Sequence, residues 1–328
     1  MSADYAKVQG PAVAPALSLN GAGELRAAVF GNKQWYPVVA KATRTMKTFA
    51  LITGFLVVAC GASPTASAAA AQPNRISVSY VAPKNPAHQP IYQRLKEVRF
   101  LERLREFLSP VRLPRTLRIK TEGCDGDANA WYDDDVMVIC YEYIDEIWKT
   151  VPAETTPAGV TPIDALAGPV FDTCLHEFGH AIFDMLKLPV FGREEDAADQ
   201  VAAYLTLQLG KDEARRQIGG TAHAYMTEAK AATEPPKLQQ FANEHGTPAQ
   251  RFYNLLCIAY GADAKLFGDL VEKGYLPKER AESCADEYRQ VAFAFKQLVG
   301  PHIDRALAKK VLRQSWLPAA TTQVKRRH

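Results

Sequence analysis

Apolar positions recur along this chain in two rhythms, a short alternating one found only before residue 141 and a helical one that appears at 90–108 and fills most of the chain after 141. From Arg75, Ile-Ser-Val-Ser-Tyr-Val alternates apolar and polar and predicts a strand. Pro90 to Leu108 sets Ile91, Leu95, Val98, Leu101, Leu104 and Leu108 at helical spacing among Arg, Lys and Glu, an amphipathic helix with a solvated charged face. Leu117-Arg-Ile-Lys-Thr predicts a second strand, and residues 129–133 and 136–141 predict two more, joined by the acidic turn Asp133-Asp134-Asp135. A helix over 141–150 and a Pro/Gly-rich loop over 151–168 follow. Next comes a helix in which Phe171, Cys174, Leu175, Phe178, Ile182, Met185 and Leu186 share one face, while His176 and His180 fall on the opposite one. The chain breaks at Leu188-Pro189, turns through Gly192 and starts another helix near Glu194, with Ala198, Val201, Ala202, Leu205 and Leu209 inward. Beyond Gly210 the pattern is helical over 212–231, 249–260, 263–273 and 278–308, broken at Pro235-Pro236, Gly261, Pro277 and Pro301.

Chemistry enters with His176-Glu177-Phe-Gly-His180. Histidines four apart on a helix bring two imidazoles to one ion, and the Glu beside the first can deprotonate a water there without being a ligand. A catalytic zinc takes three protein ligands and keeps an open position, so a third must come from elsewhere. Glu195, in the acidic first turn of the second helix, is that expected ligand of a single Zn2+ per chain, with Glu194 and Asp196 as alternatives. Asp199, one turn on, is placed to orient a liganding histidine through its far nitrogen. Small Ala197 and Ala198 allow the two helices to approach closely.

His176-Glu177-x-x-His180 followed by Glu195-x-x-x-Asp199 resembles the gluzincin arrangement. More narrowly, His-Glu-Phe-Gly-His-Ala with Leu-Pro-Val-Phe-Gly-Arg-Glu-Glu-Asp-Ala-Ala-Asp-Gln resembles a bacterial family of metallopeptidases, inferred from motifs and otherwise described as a domain of unknown function. The resemblance implies a zincin-like fold and a peptide or protein substrate, and the short spacing from His180 to Glu195 implies a compact domain. It also implies that Asn129-Ala130, followed by two aromatics, forms the edge strand that holds an extended substrate beside the zinc. The expected fold is therefore α+β: a small, mostly antiparallel sheet of three to five strands against the active-site helix, with a mostly helical C-terminal portion. A donor for the oxyanion is also needed. Among His223, His245, Arg251, Tyr253 and Tyr260, the expected pair is His245, on a loop, and Tyr253, on the helix after it.

Composition changes this picture little. With 47% apolar and 23% charged residues, 328 residues suffice for one sizeable core or two small ones, and a net charge of +3 selects no partner, nucleic acid included. Residues 1–45 carry no sustained period and read as an extension upstream of Met46, the expected start. Met46-Lys47, the apolar run 49–59 and the small residues after Cys60 have the three parts of a secretory signal over 46–60. Val57-Val-Ala-Cys60-Gly resembles a lipobox, which would lipidate Cys60 and attach the protein to a membrane; the alternative is cleavage near Ala-Ser-Ala-Ala to a soluble form. Either way the expectation is an exported protein of the bacterial periplasm or cell envelope, with a linker over 61–74, a catalytic region over 75–235, and 236–328 as the helical remainder of the same domain. Export allows disulfides Cys124–Cys140, stapling the hairpin ends, and Cys257–Cys284, while Cys174 reads as a buried free thiol. Two other functions fit the same zinc site: a non-catalytic envelope protein binding a peptide partner, and a zinc hydrolase of a non-peptide amide such as cell-wall material.

Overall fold

The computed structural model describes the backbone at 18–19 and 25–26 and residues 75–231 and 237–324. The chain divides into two units, Met1–Ser67 and Ala68–His328. In the first, β1 (Ser18–Leu19) pairs antiparallel with β2 (Leu25–Arg26). The expected signal segment with Cys60, the linker 61–74, the break at Pro235-Pro236 and the basic end 325–328 lie outside the described residues. No helix among the described residues is long and apolar enough to cross a membrane.

In the second unit, β3 (Ile76–Tyr80), β4 (Leu117–Glu122), β5 (Ala130–Asp133) and β6 (Val136–Cys140) form one sheet in the order β3-β4-β6-β5. The class is α+β, but the sheet is mixed rather than mostly antiparallel. β3–β4 and β4–β6 are parallel, and only β5–β6 is antiparallel. Composition explains the order: β6, Val-Met-Val-Ile-Cys, is apolar throughout and takes the interior position, whereas Ala-Trp-Tyr-Asp of β5 stays at the edge. The hairpin turns at Asp134 and Asp135, both with positive φ (43° and 65°), as a tight two-residue turn demands. Arg115 bridges Asp135 and Asp184, and the Tyr132 hydroxyl donates to Asp184 at 2.7 Å, so the edge hairpin is pinned to the end of the helix it lies along.

The parallel β3–β4 connection needs a crossover, supplied by α1 (Gln89–Glu97) and α2 (Phe100–Leu108). The single helix expected over 90–108 is thus two. Arg99 adopts a left-handed φ of 54°, and the break leaves Val98, expected inward, exposed. After α3 (Tyr141–Thr150), the loop expected to run to 168 ends early, and α4 spans Pro162–Met185. Thr161 caps it by accepting from Asp164 N, and Pro162 sits in the first turn, where its missing N–H costs nothing. Pro162, read as part of the loop, is instead a helix-start signal, and Pro169 lies inside the helix.

At 24 residues α4 is ~36 Å long and is buried nearly all round, not on one face only. Glycines let its neighbours press against it. A Cβ on Gly179 would meet Ala198 Cα at 3.0 Å, where α5 (Glu194–Thr206) crosses. Gly168 meets Gly220 of α6 (Lys211–Ala231) in the same way. The remaining helices are α7 (Pro248–Ala262), α8 (Asp269–Glu272), α9 (Lys278–Ala281), α10 (Cys284–Leu298) and α11 (Arg305–Val311). Hence the helix expected over 263–273 shrinks to one turn, Gly261 lies within α7 rather than ending it, and the segment 278–308 is divided.

Both expected disulfides are formed, Cys124–Cys140 and Cys257–Cys284, and Cys174 is a fully buried free thiol. Cys257 and Cys284 lie in a second apolar core with Ile218, Phe252, Leu256, Phe267 and Leu276. The sequence separation of 27 residues predicts a loss of ~3.5 kcal/mol on replacing both with Ala, from loop-closure entropy. Denaturant unfolding of the double variant checks this, and an unchanged midpoint would refute it.

Candidate metal centre

α4 and α5 cross at Gly179 and Ala198, which sets the histidine pair against the acidic first turn of α5. Each histidine spends its Nδ1 on a carboxylate. His176 Nδ1 donates to Asp199 Oδ1 at 2.8 Å, and His180 Nδ1 donates to Glu194 Oε1 at 2.8 Å. Both Nε2 atoms then converge, 3.2 Å from each other and 3.0 and 3.4 Å from Glu195 Oε2. Donor atoms of His176, His180 and Glu195 all lie within 4.8 Å of one another. Cys124, Cys140 and Glu142 are equally close, but there the two sulfurs are bonded to each other and are not free donors.

His245 reaches the same cluster from the loop before α7. Its Nε2 lies 2.7 Å from Glu195 Oε2, and its ring stacks on His176 with centroids 5.6 Å apart. The loop is shaped by an Asn243 side chain accepting from His245 N at 2.8 Å and by a capping box between Thr247 and Gln250. Glu177 is 6% exposed, and its charge is felt by His176, His180, Glu195 and His245. Burial pushes its carboxyl above the usual range.

The charges in the cluster hold one another. Burial works against a proton on His176, yet Asp199 and Glu195 outweigh it and push the imidazole up to about 9. The hydrogen bonds from His176, His180 and His245 hold the Glu195 carboxyl far below its ordinary value. Burial opposes ionisation of Asp199, but His176 and Arg251 keep its carboxyl low as well.

Not every expected residue joins the cluster. Tyr253 is 38% exposed with its ring against Phe252, and among the described residues no contact ties it to the histidines. It lies two positions from Arg251, about 200° round the helix, so when Arg251 faces α5 Tyr253 faces away. Arg251 itself, one of the oxyanion candidates, is turned to Asp199, donating from Nε at 2.8 Å and from Nη2 at 2.7 Å. His223 is half-buried on α6, and Tyr260 packs on the second core. Asp196 pairs with Arg193. Asn129 Oδ1 accepts from Ala130 N at 2.9 Å at the head of the edge strand β5.

Two groups were missed, buried Asp172 and partly buried Tyr225. Asp172, 5% exposed, accepts from the Tyr225 hydroxyl at 3.3 Å, and burial, aided by the Asp199 charge, raises its carboxyl to about 7. The signal was present for Asp172, which precedes His176 by one helical turn, but not for Tyr225, on a helix the pattern does not link to the site.

A family model, DUF4344, described as "Putative metallopeptidase", matches residues 80–299. No curated protein and no solved structure matches the chain.

Proposed function

Because the chain belongs to this "Putative metallopeptidase" family, we propose that it hydrolyses peptide bonds with one zinc ion held by His176, His180 and Glu195 and with Glu177 as general base. The observation that carries this reading is the convergence of both Nε2 atoms on Glu195 Oε2, each ring held from behind by a carboxylate. Two imidazole nitrogens and one carboxylate oxygen are a donor set that suits zinc and leaves a fourth position open. Glu194 engages the outer nitrogen of His180, so it does not close that position. This favours a catalytic centre over a purely structural or peptide-binding one.

When bound, zinc would polarise a substrate carbonyl and bring the pKa of a water toward neutrality. The chain's own residues do the rest. Glu177, nearly buried and with a raised carboxyl, takes the proton of the attacking water and passes it to the departing amine. His245 presents a ring nitrogen beside Glu195 and serves as hydrogen-bond donor to the developing oxyanion. The edge strand β5, pinned along α4, offers backbone groups to an extended peptide, with Asn129 and Ala130 at its head. Two disulfides are compatible with an oxidising compartment outside the cytoplasm, where the signal-like segment 46–60 would deliver the protein, lipid-anchored if Cys60 is modified.

The test combines metal content with cleavage of a diverse peptide library. One zinc per chain is expected, with cleavage abolished by a chelator and restored by added zinc. Zinc without cleavage of any peptide would move the assignment to a non-peptide amide or a binding role, and absence of zinc would end the metal-centre reading.

A further inference from the structure

Arg251 reaches the histidines only through Asp199. The capping box that starts α7, with Gln250 Oε1 accepting from Thr247 N at 2.9 Å and Thr247 Oγ1 accepting from Gln250 N at 3.4 Å, fixes the turn from which Arg251 projects. Its guanidinium donates two bonds to the two oxygens of Asp199, and Asp199 Oδ1 also accepts from His176 Nδ1. The other side of the guanidinium lies 4.6 Å from the centroid of the Tyr225 ring, whose hydroxyl is bonded to Asp172. Four helices therefore meet at one cation: α4 with Asp172 and His176, α5 with Asp199, α6 with Tyr225 and α7 with Arg251.

A carboxylate held by one hydrogen bond can still rotate about its last torsion. A planar fork on both oxygens removes that freedom. Asp199 is the group that selects the protonated nitrogen of His176 and the direction in which the other nitrogen points.

We propose that Arg251 is a positioning residue of the metal centre: its fork fixes the plane of Asp199, which fixes the ring of His176, so that α7 sets metal affinity while touching neither metal nor substrate. This rests on the reading of His176, His180 and Glu195 as ligands.

The experiment is competition for zinc between a chromogenic chelator and the full chain, with a thermal melt of every variant. Arg251→Met is expected to weaken zinc binding by roughly 10- to 100-fold, the range typical of lost support behind a ligand. Arg251→Lys should recover little of this, since an ammonium cannot form the fork. It also keeps the charge, so a folded Arg251→Lys protein with weakened zinc binding carries the test even if the Met variant does not fold. Asp199→Ala should weaken binding comparably, and the double variant no more than Asp199→Ala alone, because both changes break one chain of contacts. Tyr225→Phe disturbs the same buried region but spares the fork, and should bind zinc as wild type does. Additive losses in the double variant, or wild-type affinity in both Arg251 variants, would overturn the inference while leaving the zinc site standing. Failure of the wild type to bind zinc would instead overturn the ligand reading and this inference with it.

Discussion

Glu177→Gln is expected to fold, to bind zinc as tightly as the wild type, and to cleave peptides about 10²- to 10⁴-fold more slowly, the contribution usual for a positioned general base. The substitution is nearly isosteric, which matters at a side chain only 6% exposed. Glu177 is not one of the three converging donors, so the cluster of His176, His180 and Glu195 stays intact. What is lost is a carboxylate whose affinity for a proton is raised by burial, and an amide cannot replace it. The loss should fall on kcat more than on KM, because binding of the peptide does not need the base. Removing a buried charge should also leave the melting temperature no lower than that of the wild type. Steady-state kinetics on one cleaved peptide, with zinc content and a melt, provide the check. Undiminished turnover would remove Glu177 from the mechanism.

Gly220→Ala is expected to be among the most damaging small substitutions at the crossing of α6 and α4, costing ~3 kcal/mol or more. An added Cβ would sit 2.0 Å from Asp164 O and 3.1 Å from Gly168 Cα. These are backbone atoms of α4, and no rotamer change can relieve the overlap. α6 must move off α4, which also strains the hydrogen bond from Gln217 Nε2 to Gly168 O (2.5 Å) and the bond from Arg216 Nε to Asp164 (2.9 Å). Overpacking in a core typically costs ~1–3 kcal/mol, and the rigidity of the clashing atoms puts this case at the upper end or beyond. Denaturant titration reads the effect. A midpoint within error of the wild type would mean that the two helices are free to separate at this crossing.

What could be read in the sequence was local. His176, Glu177 and His180 lie within five residues, and helical periodicity alone puts the two histidines on one face. The start of α5 at Glu194 followed from a Pro/Gly break and an acidic first turn, and Asp199 one turn later followed from the same helix. Where the sequence reading failed, it failed on packing between distant segments. Nothing near Arg251 says that it faces α5 rather than solvent, and Tyr253, two residues on, looked the better candidate for want of a helix register. The parallel β4–β6 pairing depends on which strand of a hairpin docks, a choice made by burial of β6 and not by its turn. Pro162 and Pro169 are the same residue type in two roles, helix start and tolerated interior, which spacing does not separate. Arg99 carries no Gly or Pro signature to announce a break.

The contact of Gly179 with Ala198 gives the centre a fulcrum. Glu195 stands three residues from Ala198, a lever arm of only ~4.5 Å along the helix axis. A 10° change in the tilt of α5 about that point displaces Glu195 by only ~0.8 Å relative to the histidine pair. Tilting of α5 about this point therefore moves Glu195 less than it moves the far end of the helix at Thr206, whereas a single methyl group added at Gly179 would move the fulcrum itself.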